Sequence, residues 1–312
     1  MRKPLVVISG ATATGKSALA VNIAKIIGGE IISADSMQIY KYMDIGTAKV
    51  TEEEMDGVKH HLIDIIEPNE NFDALTFKTM ALKAMDEIYE RGHIPIIAGG
   101  TGFYIQAVTR DIDFTEENDG DVREKITEFF NENGEDALFE RLRSVDPESC
   151  EIIPKQNIKR VIRAIEFYEL HHKKISEHNE EQKKRVTPYN LAYFVINQNR
   201  DELYRKIDKR VDIMVENGLL DEVKRLVKDY NFDSASGLSN AIGYSEIISY
   251  LNGEYDFDRA VELIKQNSRH YAKRQITFFK REKDAIFIDK DKMNSKEMET
   301  FILDTLKEEE II

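Results

Sequence analysis

Short, continuously apolar runs alternate along the chain with longer stretches whose apolar positions recur every three or four residues. That alternation predicts buried parallel strands joined by helices. The runs are Leu5-Val6-Val7-Ile8-Ser9, Glu30-Ile31-Ile32-Ser33-Ala34, Ile94-Pro95-Ile96-Ile97-Ala98, Leu191-Ala192-Tyr193-Phe194-Val195-Ile196 and Ala285-Ile286-Phe287-Ile288. After the first run, Leu19, Ile23, Ile26 and Ile27 make a helical stripe that Gly28-Gly29 ends. A helix is predicted over 72–91, with Leu75, Leu82, Met85 and Tyr89 on one side. Between 113 and 188 strand patterning disappears and the text becomes helical and heavily charged. There the helix over 155–170 gathers Ile158, Val161, Ile162, Ile165 and Tyr168 on one arc, with Lys159, Arg160 and Arg163 opposite. Further on, Leu203, Ile207, Val211 and Met214 mark a long helix, and Asn240-Ala241-Ile242-Gly243-Tyr244 a small-residue turn. The helix over 259–280 buries Val261, Ile264, Ser268, Ala272, Ile276 and Phe279 and carries Arg269, Lys273 and Lys280 along one edge. The chain then ends in an acidic tail. The fold class expected is α/β, a parallel sheet flanked by helices (1–112 and 189–312), with an inserted all-helical domain over 113–188.

The candidate chemistry sits where the first strand meets the first helix. Gly10-Ala11-Thr12-Ala13-Thr14-Gly15-Lys16-Ser17 has the spacing of a phosphate-binding P-loop, so the core is expected to be of the P-loop NTPase type. The glycines allow a tight turn whose N–H groups face one anion-sized hollow, and the helix adds its positive end. Lys16 brings a mobile charge, and the Ser17 hydroxyl can ligand Mg²⁺ shared with phosphates, in the manner of an ATP site. The loop does not say which phosphate compound is held. Asp35 follows the second strand, where residues of a parallel sheet face the ligand crevice; it also reads as a cap for a following helix. Gly99-Gly100-Thr101-Gly102 ends the third run, where glycines let backbone approach a ligand and leave Thr101 as the polar handle. His60-His61 lacks a third ligand at useful spacing, which favours a structural or substrate-contacting role over a metal. Leu62-Ile63-Asp64 imitates a Walker B strand with a short apolar lead.

Composition changes little in this picture, but charge does. With 41% apolar and 33% charged residues the 312-residue chain is of globular type, and no apolar run nears the roughly 20 residues of a membrane span. A single cysteine, Cys150, allows no internal disulfide, and the cytoplasm is the compartment expected. The net charge of −14 opposes nucleic-acid binding on average, yet it is segregated. Over 265–283 the bases Lys265, Arg269, Lys273, Arg274, Lys280, Arg281 and Lys283 meet one acid, Glu282, whereas 116–151 and the tail carry the acid excess. Such local basic faces can track a phosphate backbone or serve as ordinary solvated surface.

In order along nearly the whole chain, these motifs resemble the tRNA dimethylallyltransferases. The matching stretches are 10–17, Asp35-Ser36-Met37-Gln38-Ile39-Tyr40, Asp44-Ile45-Gly46-Thr47-Ala48-Lys49, His60-His61-Leu62-Ile63-Asp64 and Gly99-Gly100-Thr101-Gly102-Phe103-Tyr104. Arg160-Val161-Ile162-Arg163-Ala164-Ile165-Glu166, Arg210-Val211-Asp212, Ala241-Ile242-Gly243-Tyr244 and Tyr271-Ala272-Lys273-Arg274-Gln275 complete the set. Departures from the family's usual pattern are Ala11, Thr14, Ser245, Ser268 and Phe278. The resemblance implies transfer of a dimethylallyl group from its diphosphate to N6 of the adenosine 3′ of a tRNA anticodon. It implies Asp35 as the base, Gln38 on the adenine, and Thr101, Lys16 and Arg210 on the diphosphate. Ser36, Met37, Lys159, Arg160, Arg163, Arg269 and Lys273 would join Asp35, Gln38 and Thr101 in contacting the anticodon stem-loop. Mg²⁺ on Ser17 is the implied cofactor, and a monomer the expected state. The rival readings are a P-loop small-molecule kinase, an isopentenyltransferase for free adenine nucleotides, and a nucleotide-dependent RNA-binding switch.

Overall fold

The computed structural model describes residues 2–114, 120–230 and 241–312; Asn240 of the predicted turn and the start of the acidic stretch over 116–151 lie outside them. Strands β1 (Pro4–Gly10), β2 (Gly29–Ala34), β3 (His60–His61), β4 (Ile94–Gly99), β5 (Asn190–Asn197) and β6 (Ala285–Asp289) form one parallel sheet in the order β3-β2-β4-β1-β5-β6. The helices are α1 (Lys16–Ile27), α2 (Glu52–Met55), α3 (Ala74–Glu90), α4 (Gly102–Thr109), α5 (Gly120–Val145), α6 (Pro147–Ile152) and α7 (Ile158–His171). They continue with α8 (Ile175–Lys183), α9 (Arg200–Glu216), α10 (Leu219–Tyr230), α11 (Tyr244–Leu251), α12 (Phe257–Phe279) and α13 (Ser295–Glu308). The chain divides into one unit of residues 1–109 with 187–312, which holds the sheet, and a second of residues 110–186, whose described elements are helices.

The central strands β1, β4 and β5 are largely apolar and buried because both faces of the sheet are covered there. On one face Val6, Ile8, Ile31, Ile96 and Phe194 pack under α1; on the other Leu5, Val7, Ile32, Ile97 and Tyr193 pack under α3 and α4. In the second unit Ile126, Leu138, Leu142, Val161 and Ile165 form a separate small core.

Three expectations need correction. The tail is not plain acidic coil: α13 buries Met298, Ile302 and Leu306 in the core beside α1, a four-residue spacing masked by the surrounding acids. The stripe assigned to α3 is out of phase, since Leu75 is exposed while Phe77, Ala81, Ala84, Met85 and Ile88 are buried; alanines carry part of the contact. Ile26 of α1 is likewise exposed, and Ala20 and Ala24 take its place in the core.

Candidate active site

Three turns meet at the carboxyl end of the sheet, where β1 lies between strands connected in opposite directions. The first is the loop at 10–17. A Cβ on Gly10 would sit 2.8 Å from the Ile196 carbonyl, so only glycine lets β1 leave the sheet there. Gly15 has φ +88° and starts α1 with no side-chain cap, which leaves the helix N-terminus open to an anion. Ala13 is also left-handed, at φ 63°. Thr14 Oγ1 donates to the Ala11 carbonyl (2.8 Å) and Lys290 Nζ to the Thr14 carbonyl (2.5 Å), bracing the turn from within and behind. Not every N–H faces the hollow: that of Thr12 donates to Gln275 Oε1 at 2.9 Å.

The second turn follows β2. Asp35 Oδ1 accepts from the N–H groups of Met37 (2.9 Å) and Gln38 (3.3 Å), so Asp35 closes a local turn; no helix follows it until α2. Asp35 is half-buried, and among the described residues its Oδ2 has no protein donor, which leaves that oxygen as the free face of the carboxylate. Ser36 N–H donates to Thr101 Oγ1 (3.2 Å), which joins this turn to the third, the glycine turn after β4. Its glycines are walled on all sides. A Cβ would strike Ala34 backbone at Gly99, Gln275 at Gly100 and Phe278 at Gly102.

Charge converges on the same point. Burial pushes the Lys16 ammonium down to about 8, while the Asp35 carboxylate pulls its pKa up and Arg210 presses it further down. Burial likewise holds the Arg210 guanidinium below its ordinary value, opposed by Asp35. Arg210 reaches Thr12 Oγ1 (3.4 Å) and the Thr47 carbonyl (3.2 Å) from α9. Tyr271, with Thr101 and Gln275 as side-chain partners, is pushed up to about 12 by burial and then by the charge of Asp35. The structure therefore brings together residues 10–17 with Lys16, Asp35, Gln38, Thr101 and Arg210. Ser17 is exposed on the first turn of α1, and among the described residues its hydroxyl has no protein partner. That hard oxygen donor beside Lys16 is of the kind Mg²⁺ takes, and Ser17 would be its ligand from this chain.

Other predicted residues lie elsewhere. Lys159, Arg160 and Arg163 are exposed on α7 of the helical unit. Arg269 pairs with Asp208 and Lys265 with Asp212 (2.5 Å), so part of the basic edge of α12 serves to bind α9; Lys273 is exposed. His61 bonds Glu30 (2.7 Å) and His60 the Val58 carbonyl (2.8 Å), which are structural roles. Burial opposes the ionisation of Glu30, yet bonds from Arg91, His61 and His93 bring its pKa down to about 2. Asp64 is no Walker B acid; it pairs with buried Lys49, which also holds Asp44 (2.7 Å) and the Tyr40 carbonyl (2.8 Å).

Sequence reasoning did not single out three residues as site members. Gln275 of α12 spans two turns, accepting from Thr12 N–H and donating to the Gly100 carbonyl at 2.9 Å. Tyr271 lies one helical turn before it. Glu222 of α10 accepts from the backbone of the 44–46 segment. The first two stand inside a quoted motif, whereas Glu222 has no local signal.

The IPP transferase family matches residues 38–282 of the chain. A tRNA dimethylallyltransferase of Lachnoclostridium phytofermentans is 50% identical, with 99% of this chain and 99% of that protein covered. One from Acetivibrio thermocellus is 47% identical over 94% of each. Among solved structures, the full-length tRNA isopentenylpyrophosphate transferase of Bacillus halodurans superposes with a TM-score of 0.74 at 41% identity, covering 99% of this chain and 98% of that one. A eukaryotic dimethylallyltransferase acting on tRNA gives a TM-score of 0.80 at 29% identity, over 93% of this chain and 74% of that one.

Proposed function

The chain belongs to the IPP transferase family and is a prenyltransferase of tRNA, and we propose that its donor is dimethylallyl diphosphate and its acceptor N6 of the adenosine 3′-adjacent to the anticodon. The observation that carries this reading is the pairing of an anion cradle with a free carboxylate face. Arg210 reaches Thr12 of the 10–17 loop, and Asp35, whose Oδ2 has no protein donor among the described residues, acts electrostatically on both Lys16 and Arg210. A diphosphate leaving group belongs in the cradle, and a nucleophile that must shed a proton belongs at the carboxylate.

The C–O bond to the diphosphate breaks as N6 bonds to the allylic carbon, and negative charge grows on the leaving oxygens. Lys16, Arg210 and the open end of α1 stabilise that charge. Mg²⁺ held by Ser17 would neutralise part of it. Thr101 is braced by Ser36 N–H and offers its hydroxyl to the diphosphate. Gln38, held by the Thr47 and Ala48 carbonyls, lies beside Asp35 and orients the adenine. Asp35 Oδ2 takes the N6 proton, and pyrophosphate is released. The adenine reaches the site unstacked, at small cost in a single-stranded loop. The exposed Lys159, Arg160 and Arg163 hold phosphates, as does Lys273.

A kinase and a transferase for free nucleotides are not favoured, because the relatives matched across the whole chain act on tRNA. The test offers labelled dimethylallyl diphosphate with tRNA, AMP or ATP and Mg²⁺. Label is expected in tRNA alone; label in AMP or ATP, or phosphoryl transfer without prenyl transfer, would refute the reading.

A further inference from the structure

The geometry points to Glu222 as the positioning residue that sets Arg210 and Gln38 for the transfer proposed above, on which this inference rests. The residue is 6% exposed, and among the described residues the one ionisable side chain it hydrogen-bonds is Tyr244. Oε2 accepts from the N–H groups of Asp44 (2.9 Å) and Ile45 (2.8 Å). Oε1 accepts from Gly46 N–H (3.0 Å) and the Tyr244 hydroxyl (2.6 Å). Among the described residues the N–H groups of Asp44 and Ile45 have no other acceptor, while that of Gly46 is shared with the Tyr244 hydroxyl oxygen.

A carboxylate has about four lone-pair sites, and here four donors fill them. An amide side chain could not do this, because its NH₂ would face either two N–H groups or an N–H and a hydroxyl. Burying a charge is expensive, so a carboxylate in this place reflects a need for four acceptances at one point. The seat is tight: a Cβ on Gly46 would lie 2.5 Å from the Tyr244 ring. Burial, and then the charge of Glu222, keep the Tyr244 hydroxyl protonated and hence a donor.

The far side of the same loop presents its carbonyls to the site. Thr47 O accepts from Arg210 (3.2 Å) and Gln38 (3.4 Å), and Ala48 O accepts from Gln38 (3.2 Å). Glu222 thus fixes the 44–46 backbone, and the next two residues aim a guanidinium at the diphosphate and an amide at the adenine. It contacts neither substrate.

The experiment uses the full chain, dimethylallyl diphosphate, Mg²⁺ and an anticodon stem-loop RNA. Glu222→Gln is expected to raise the donor KM about fivefold and lower kcat about tenfold, with RNA affinity within about threefold, since phosphates carry most of it. In an Arg210→Ala/Gln38→Ala background the same substitution should cost less than about twofold, because its targets are gone. Tyr244→Phe removes one of the four bonds and leaves ring and carboxylate in place; about a two- to fivefold loss in the same parameters is expected. Parental kcat and KM in folded Glu222→Gln, or an undiminished loss in the double background, overturns the inference. If Glu222→Gln does not fold, parental kinetics in Tyr244→Phe overturns it instead. A parent chain that transfers nothing to RNA overturns the functional reading, and this inference with it.

Discussion

Replacing Asp35 by asparagine changes one face of one side chain. Oδ1 is committed to the Met37 and Gln38 N–H groups at 2.9 and 3.3 Å, so asparagine must keep its carbonyl oxygen there. The amide NH₂ then stands where Oδ2 stood, and the N6 amino group meets a donor in place of an acceptor. The turn survives and the base is lost. A positioned base is worth roughly 10²–10⁴ in rate, which at about 1.36 kcal/mol per decade is about 2.7–5.4 kcal/mol of barrier. A second effect follows from Lys16. Asp35 is what holds the Lys16 pKa up at about 8 against burial and Arg210. Without that carboxylate the pKa falls further, the ammonium is partly lost near neutrality, and donor KM rises as pH increases. Single-turnover transfer at saturating tRNA, followed between about pH 6 and 9, separates the two effects. An Asp35→Asn rate within a few-fold of the parent would place the base elsewhere. A donor KM whose pH dependence matches the parent's would detach Asp35 from Lys16.

For the parent, donor kcat/KM should decline above a pH of about 8, because the Lys16 ammonium is the binding form and loses its proton there. Lys16→Arg should move that limb upward and Lys16→Ala should weaken binding and transfer together; a profile flat to about pH 9.5 refutes the assignment. Arg160→Ala with Arg163→Ala should raise the tRNA KM and make the log–log salt slope shallower by about 1.5, with donor KM unchanged; an unaltered slope would leave α7 a solvated face. Ile302→Ala should cost about 2–5 kcal/mol in chemical unfolding, because the side chain is wholly buried against the α1 face of the sheet. A loss below about 0.5 kcal/mol would mean α13 is not docked.

The strands and the P-loop were legible because each is a local pattern: a continuous apolar run, or fixed spacing within a few residues. Asp35 and Thr101 were legible because a parallel sheet puts the residues after its strands in one crevice. Helix phases were less so where alanine carries the contact, as Ala81 and Ala84 do in α3. Counting large apolar side chains gave exposed Leu75 too much weight. Glu222 could not be read at all, since its partners lie at 44–46, far away in sequence, and a lone glutamate in an amphipathic helix looks like surface. The same holds for Arg269, whose guanidinium reads as a free basic group until folding brings Asp208 beside it.

One side-chain amide has a consequence for how the site can open. Gln275 stitches the Thr12 N–H to the Gly100 carbonyl, so the turns after β1 and β4 move as one body. Parting them would break two hydrogen bonds in a buried setting, about 1–3 kcal/mol for each group left unsatisfied. The opposite wall is held more loosely, by Arg210 bonds of 3.2 and 3.4 Å. Of the two walls, the one formed by the stitched turns is therefore the stiffer, and the Arg210 side the easier to part.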